Sequence, residues 1–270
     1  MNLSISNIAW NAEEDDTVFQ LLNAYNITAL EFAPTKIWST PIDCSREEIL
    51  DYRLKCKDQG IKIVAMQSLL FGQPQLTLFE DENARNQMKK YLKKIIEMAG
   101  VLGIKAVVFG SPKNRLSRSM SKSEQLSIAS GFFYEIGQYA VDNNLKFCIE
   151  PNPQQYGCDF VTNTQQGIEL VKEVNHPGFQ LHLDTGALIL NEENFAESIE
   201  ASLPYLAHFH ISEPYLELVG SGKHNHHHEI SKILKGLHYE NYISIEMKNA
   251  ILPSNIESVK RALNFVSELY

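Results

Sequence analysis

Along the chain, short apolar runs rich in β-branched residues alternate with longer stretches whose apolar positions recur at helical spacing. Eight runs read as strands, over residues 3–8, 27–32, 61–67, 106–109, 146–150, 179–184, 207–211 and 242–246. Each is followed by a helical segment, at about 13–24, 45–58, 83–101, 122–142, 162–174, 193–201, 227–236 and 254–268. Met88, Leu92, Ile95, Ile96 and Ala99 trace the stripe of a helix laid on a sheet. Ser45, Ser121 and Ser254 stand three residues before Glu48, Glu124 and Glu257, a capping pattern that marks helix starts at the serines.

Strand and helix alternating without interruption select the α/β class, a parallel sheet with helical crossovers. Eight units in 270 residues leave roughly 34 residues apiece, which matches a single (β/α)8 TIM barrel over residues 1–270. A doubly wound open sheet is the alternative, and it lacks the Gly-x-Gly-x-x-Gly turn that commonly accompanies it. No linker, repeat or low-complexity tract divides the chain apart from a histidine cluster at 224–229.

Composition narrows the function classes. With 44% hydrophobic and 21% charged residues the chain is neither disordered nor fibrous. A formal charge of −9 argues against a nucleic-acid partner. No apolar run is long enough to span a membrane, and residues 1–10 lack the features of a signal peptide. Cys44, Cys56, Cys148 and Cys158 show no metal-ligand spacing and read as reduced thiols of a cytoplasmic protein.

Barrel chemistry sits where strands finish. Strands five to eight end in Glu150, Asp184, His210 and Glu246, at spacings of 34, 26 and 36 residues, one βα unit each. Three carboxylates gathered at one barrel mouth repel each other unless a cation or protons compensate. Three oxygen donors with one imidazole suit one divalent cation, Mn2+, Mg2+ or Co2+, with Zn2+ also compatible.

Cys148-Ile-Glu-Pro-Asn-Pro153, Leu181-His-Leu-Asp-Thr-Gly186, His208-Phe-His-Ile-Ser212 and Ser244-Ile-Glu-Met-Lys248 resemble the motifs of the xylose isomerase-like barrel superfamily. They are closest to its sugar phosphate isomerase/epimerase branch, which includes ketose 3-epimerases. The resemblance implies that Glu150, Asp184, His210 and Glu246 hold one cation and that Glu150 and Glu246 also serve as acid and base. The implied reaction is proton abstraction next to the carbonyl of a sugar or sugar phosphate through a metal-stabilised enediolate. The resemblance also implies a homodimer or homotetramer. Family members commonly carry a histidine three residues after the strand-six aspartate, whereas this chain has Ala187. That departure leaves the substrate open and admits a dehydratase on the same chemistry. An endonuclease IV-type nuclease would need histidines where Gln67 and Phe109 stand, and a non-catalytic sugar-binding barrel would have no use for both glutamates.

Further residues qualify as substrate contacts. Asn152 shares the inward face with Glu150, Gln67 ends strand three, and Lys113 is the cation nearest the strand in the basic loop Lys113, Arg115, Arg118. His182 lies two residues before Asp184, able to meet the substrate or to orient a ligand from below, or to be plain core. His208 stands in the same relation to His210 and reads as core. His226 in the histidine cluster is a candidate contact, Gly220-Ser-Gly-Lys223 a candidate phosphate turn, and Trp10, Trp38 and Phe71 candidate pocket walls.

Overall fold

The computed structural model describes residues 1–222 and 226–270. Strands β1 (Asn2–Ser6), β2 (Ala29–Phe32), β3 (Lys62–Met66), β4 (Ala106–Phe109), β5 (Lys146–Ile149), β6 (Phe179–Asp184), β7 (Leu206–Ser212) and β8 (Tyr242–Glu246) pair in sequence order. The sheet closes when β8 pairs with β1, in parallel like every other pair. The doubly wound alternative is thereby excluded, and the expected (β/α)8 barrel is the fold.

Helices α1 (Asp15–Ala24), α2 (Arg46–Asp58), α3 (Glu82–Leu102), α4 (Lys122–Asp142), α5 (Thr164–Val174), α6 (Thr185–Leu190), α7 (Phe195–Ser202), α8 (His226–Gly236) and α9 (Asn255–Leu269) lie between or after the strands. Ser45 and Ser121 form full capping boxes with Glu48 and Glu124, and Ser254 accepts from the Glu257 N–H. The α3 stripe from Met88 to Ala99 is wholly buried. Helix α6 goes beyond the sequence expectation. Its run, Thr-Gly-Ala-Leu-Ile-Leu, is too short and too uniformly apolar to show helical period, and it forms because the Asp184 carboxylate caps the Ala187 N–H at 2.7 Å.

Alternation along each strand sends one set of side chains outward under the helices and the other into the barrel. Along β7, Phe209 and Ile211 join the large helix-facing core, leaving His208, His210 and Ser212 on the other face. Small residues Ala29, Val64, Ala65, Ala106 and Cys148 form a second, separate apolar cluster. Above them come the buried polar residues Ser4, Ser6, Glu31, His182, His208 and Ser244. The barrel interior is therefore apolar at one level and polar toward the strand ends. Among the described residues no helix is long and apolar enough to cross a membrane.

Candidate metal centre and active site

A cavity of about 770 Å3 opens beyond the strand ends, and its floor includes Glu150, Asp184 and Glu246. Asp184 and Glu246 terminate β6 and β8, and Glu150 directly follows β5, so their backbones are fixed by the barrel ladder. His210 lies beside Asp184 in register on β7 and is 1% exposed.

Asp184, His210 and Glu246 are held through their side chains, and Glu150 through its backbone. The Asp184 Oδ1 accepts from the Ala187 N–H, and its Oδ2 accepts from the Ser212 hydroxyl at 2.5 Å. The Ser212 hydroxyl in turn accepts from the Gly186 N–H at 3.0 Å, tying β6, α6 and β7 into one corner. Below Glu150, the buried Arg115 donates from Nη2 to the Glu150 carbonyl at 2.7 Å and from Nη1 to the Phe109 carbonyl at 3.3 Å. His210 Nδ1 stands 3.2 Å from Glu246 Oε2. Asp184, His210 and Glu246 offer donor atoms within 4.8 Å of one another, and Glu150 reaches the same histidine in a second such grouping with His182.

The electrostatics show how crowded the carboxylates are. Burial, and then the charges of Glu246 and Asp184, push Glu150 up to about 8. Burial and Glu246 push Asp184 up to about 6, against the pull of His210 and Ser212. Burial alone disfavours a charged His210, yet Glu31 and Glu246 outweigh it and hold the imidazole well above its ordinary value.

Glu31 escapes the strand-end reading, because Phe32 occupies the last position of β2. It is fully buried, with Oε1 2.9 Å and Oε2 2.8 Å from His210 Nε2. His208 Nε2 lies 3.2 Å from the same carboxylate and 3.1 Å from the Ser244 hydroxyl. Burial would raise Glu31, but His210 and His208 outweigh it and keep the carboxyl below its usual range.

The remaining candidates divide. Asn152, Lys113, Gln67 and Phe71 line the cavity. Gln67 is already engaged, donating to the Ser6 hydroxyl at 2.8 Å and accepting from Ser68. His182 does not meet the cavity: it is fully buried, its ring centroid 4.1 Å from that of His210, and apart from the His208 backbone it has no polar partner. Burial, with His210 and His208 beside it, drives His182 well below its ordinary value and keeps it neutral. Its place is under the ligands. His226 is also off the cavity, at the start of α8 against the Phe195 ring. Trp10 is fully buried and donates to Asp15, and Trp38 packs on Phe32 and Tyr52, so neither is a pocket wall.

Two basic features are also corrected. Arg115 is an internal brace: its fully buried guanidinium donates to the backbone carbonyls of Phe109 and Glu150 and ties the ends of β4 and β5 together. The glycine turn is filled by the protein itself: the Gly220 and Gly222 N–H groups donate to Glu213 Oε1 at 3.1 and 3.2 Å, where an anion was expected. Lys223 and His224 lie outside the described residues. The cavity instead brings in residues that sequence reasoning missed, notably Lys36, Tyr156 and Tyr215. Ser68, Ser111, Tyr215 and Leu216, all lining it, have left-handed backbones without being glycine, the kind of strain that collects at functional sites.

The family model for the xylose isomerase-like TIM barrel matches residues 19–269. The chain belongs to that family. Among curated proteins it is 23% identical over 194 residues to an L-ribulose 3-epimerase of Methylomonas sp. (strain DH-1), covering 72% of this chain and 64% of that one. It is 27% identical over 111 residues to a D-psicose 3-epimerase of Agrobacterium fabrum, covering 41% of this chain and 38% of that one. Both matches span less than two thirds of the relative's length. Among solved structures, a D-psicose 3-epimerase in the presence of D-fructose superposes with a TM-score of 0.81 at 19% identity, over 100% and 99% of the two chains. A 3-keto-D-glucoside 4-epimerase from E. coli gives 0.83 at 16%, over 99% of each. At such identities the superpositions establish a shared fold.

Proposed function

We propose that this chain is a divalent-cation-dependent sugar epimerase or isomerase that moves a proton beside the substrate carbonyl. The observation that carries the reading is the meeting of Asp184, His210 and Glu246, with Glu150 on the same imidazole, at the floor of one cavity. Kinship with sugar epimerases in a shared fold supports it.

The donor set fits the cation. It is rich in oxygen, burial and neighbouring carboxylate charge raise Glu150 and Asp184, and its imidazole turns Nδ1 toward Glu246. Asp184, His210, Glu246 and Glu150 would hold Mn2+, Co2+ or Mg2+, and the one imidazole also suits Zn2+. When bound, the cation neutralises this carboxylate cluster and offsets charge that develops on the substrate oxygens.

The protein's own groups do the proton work. Glu150 follows β5 and Glu246 ends β8, three strands apart round the ring, so a flat sugar backbone between them presents one face to each. One carboxylate takes the proton from the carbon beside the carbonyl and the other returns one. Return on the opposite face inverts the centre, which is epimerisation; delivery to the neighbouring carbon is isomerisation. Phe71 and Tyr215 supply apolar rims, and Asn152 and Lys113 polar contacts for the far end of the sugar or sugar phosphate.

Incubation with a panel of ketoses and their phosphates in D2O tests this. Cation-dependent deuterium incorporation in at least one of them is expected, abolished in Glu246→Gln protein that still carries its cation. Full turnover in that variant refutes the assignment.

A further inference from the structure

We infer that Glu31 is a positioning residue for the metal centre, fixing the His210 ring so that Nδ1 alone faces Asp184 and Glu246. A histidine has two ring nitrogens, and the one available to a cation is set by what the other binds. Here Nε2 is hydrogen-bonded to Glu31 Oε1 at 2.9 Å, with Oε2 of the same carboxylate 2.8 Å away, while Nδ1 lies 3.2 Å from Glu246. The ring cannot turn over without breaking the Glu31 contacts. Glu31 is itself fixed from a second side by His208, whose Nε2 also meets Ser244, and Ser244 shares a 2.5 Å hydrogen bond with Ser4. The chain Ser4, Ser244, His208, Glu31, His210 therefore draws on β1, β8, β7 and β2.

Two further observations support a dedicated role. A wholly buried carboxylate is costly to fold unless it is paired, so its presence in β2 calls for a use. The β2 and β3 register shifts between Leu30 and Glu31, an irregularity of the kind that re-aims a side chain. Glu31 does not line the cavity, so it acts on the substrate only through His210.

The inference rests on the metal reading above, and the test separates the two. Mn2+ is titrated into metal-free full-length protein, the free ion being read by electron paramagnetic resonance and folding by circular dichroism. Wild type should bind one Mn2+ per chain. Glu31→Gln should fold and bind on the order of 10–100-fold more weakly, with Glu31→Asp in between because a shorter carboxylate still draws on Nε2. His208→Asn, which removes one support of Glu31 but leaves the Glu31 to His210 contact, should lose less affinity than Glu31→Gln. Absence of Mn2+ binding by the wild type overturns the metal reading itself. Wild-type affinity in Glu31→Gln, or an equal loss in His208→Asn, overturns the positioning role alone. Two ions per chain falling to one in Glu31→Gln also overturn it, since Glu31 would then be a ligand. Should Glu31→Gln not fold, Glu31→Asp decides: affinity equal to wild type refutes the inference.

Discussion

A single methyl group at Gly110 should disarm the site while leaving the barrel standing. Gly110 directly follows β4, and its neighbours Phe109 and Ile149 are in register, so position 110 lies beside Glu150 across the strand pair. A Cβ built there would stand 2.4 Å from Glu150 Oε2, against about 3.4 Å for an ordinary contact. Because the Gly110 backbone is not left-handed, alanine is tolerated locally, and the clash is relieved by moving the tip of the Glu150 side chain about 1 Å. A displacement of that size at a reacting group costs on the order of 10²-fold in rate. Folding should change little, since Gly→Ala at a compatible position gains roughly 0.4–1 kcal/mol from the unfolded chain. Initial rates of deuterium incorporation for wild type and Gly110→Ala, both saturated with Mn2+, read the first effect, and thermal melts read the second. Gly131→Ala in α4, where the added Cβ meets nothing within 4 Å, serves as the control and should retain full rate. Wild-type exchange in Gly110→Ala would refute the placement of Glu150 as acid or base.

Removing Arg115, by Arg115→Ala, deletes its hydrogen bonds to the Glu150 and Phe109 carbonyls and leaves a cavity where a fully buried side chain stood, and should cost about 3–5 kcal/mol. At roughly 2–4 °C per kcal/mol for a chain of this size, the melting temperature should fall by about 6–20 °C, and an unchanged melt would count against the brace. Lys113→Ala should raise KM roughly fivefold for substrates bearing a phosphate or carboxylate, the worth of an exposed ion pair, and leave neutral sugars unaffected. An equal rise for both would dismiss charge recognition. Burial alone would raise Glu213, but His227 and the Gly222 and Gly220 amides outweigh it, so its carboxyl titrates below its ordinary value of 4.5. That stability is present above about 4.5 and is lost as pH falls through the lower folded value, so Glu213→Gln should flatten the acid side of the melting curve against pH.

The parts of the site legible in the sequence were those that the strand-end rule picks out. Asp184 and Glu246 end their strands and Glu150 directly follows β5, whereas His210, expected at the end of β7, lies two residues inside it but in register with Asp184, and the barrel brings these positions together whatever lies between them. Glu31 breaks the rule by one residue, with Phe32 after it and a register shift before it. A charge inside a strand buried on both faces was the available signal, because such a residue must find a partner. Arg115 and the glycine turn at 220–222 escaped for another reason. A basic loop residue and a glycine turn look solvated in sequence, and only tertiary contact shows one guanidinium turned inward to carbonyls and one carboxylate turned back onto the amides. The cavity rim, with Lys36, Tyr156 and Tyr215, carries no period at all, since loops are shaped by what they pack against.

Two kinds of buried carboxylate share this barrel, and their difference supports the proposed divalent cation. Glu31 has its partners within the protein, the imidazoles of His210 and His208, which outweigh burial and keep its carboxyl below the usual range. Glu150, Asp184 and Glu246 share the outer side of His210 and the more distant Arg115, and Glu150 and Asp184 are driven upward in consequence. The one imidazole is already engaged by Glu31 on its inner edge, so three carboxylates face less than their own charge. Protons can settle the imbalance only by occupying the oxygens needed to accept a proton from substrate. On the proposed function a divalent cation would settle it while leaving a carboxylate ionised as base, and Glu150, Asp184 and Glu246, three of the chain's 33 acidic residues, would carry chemistry instead of surface charge.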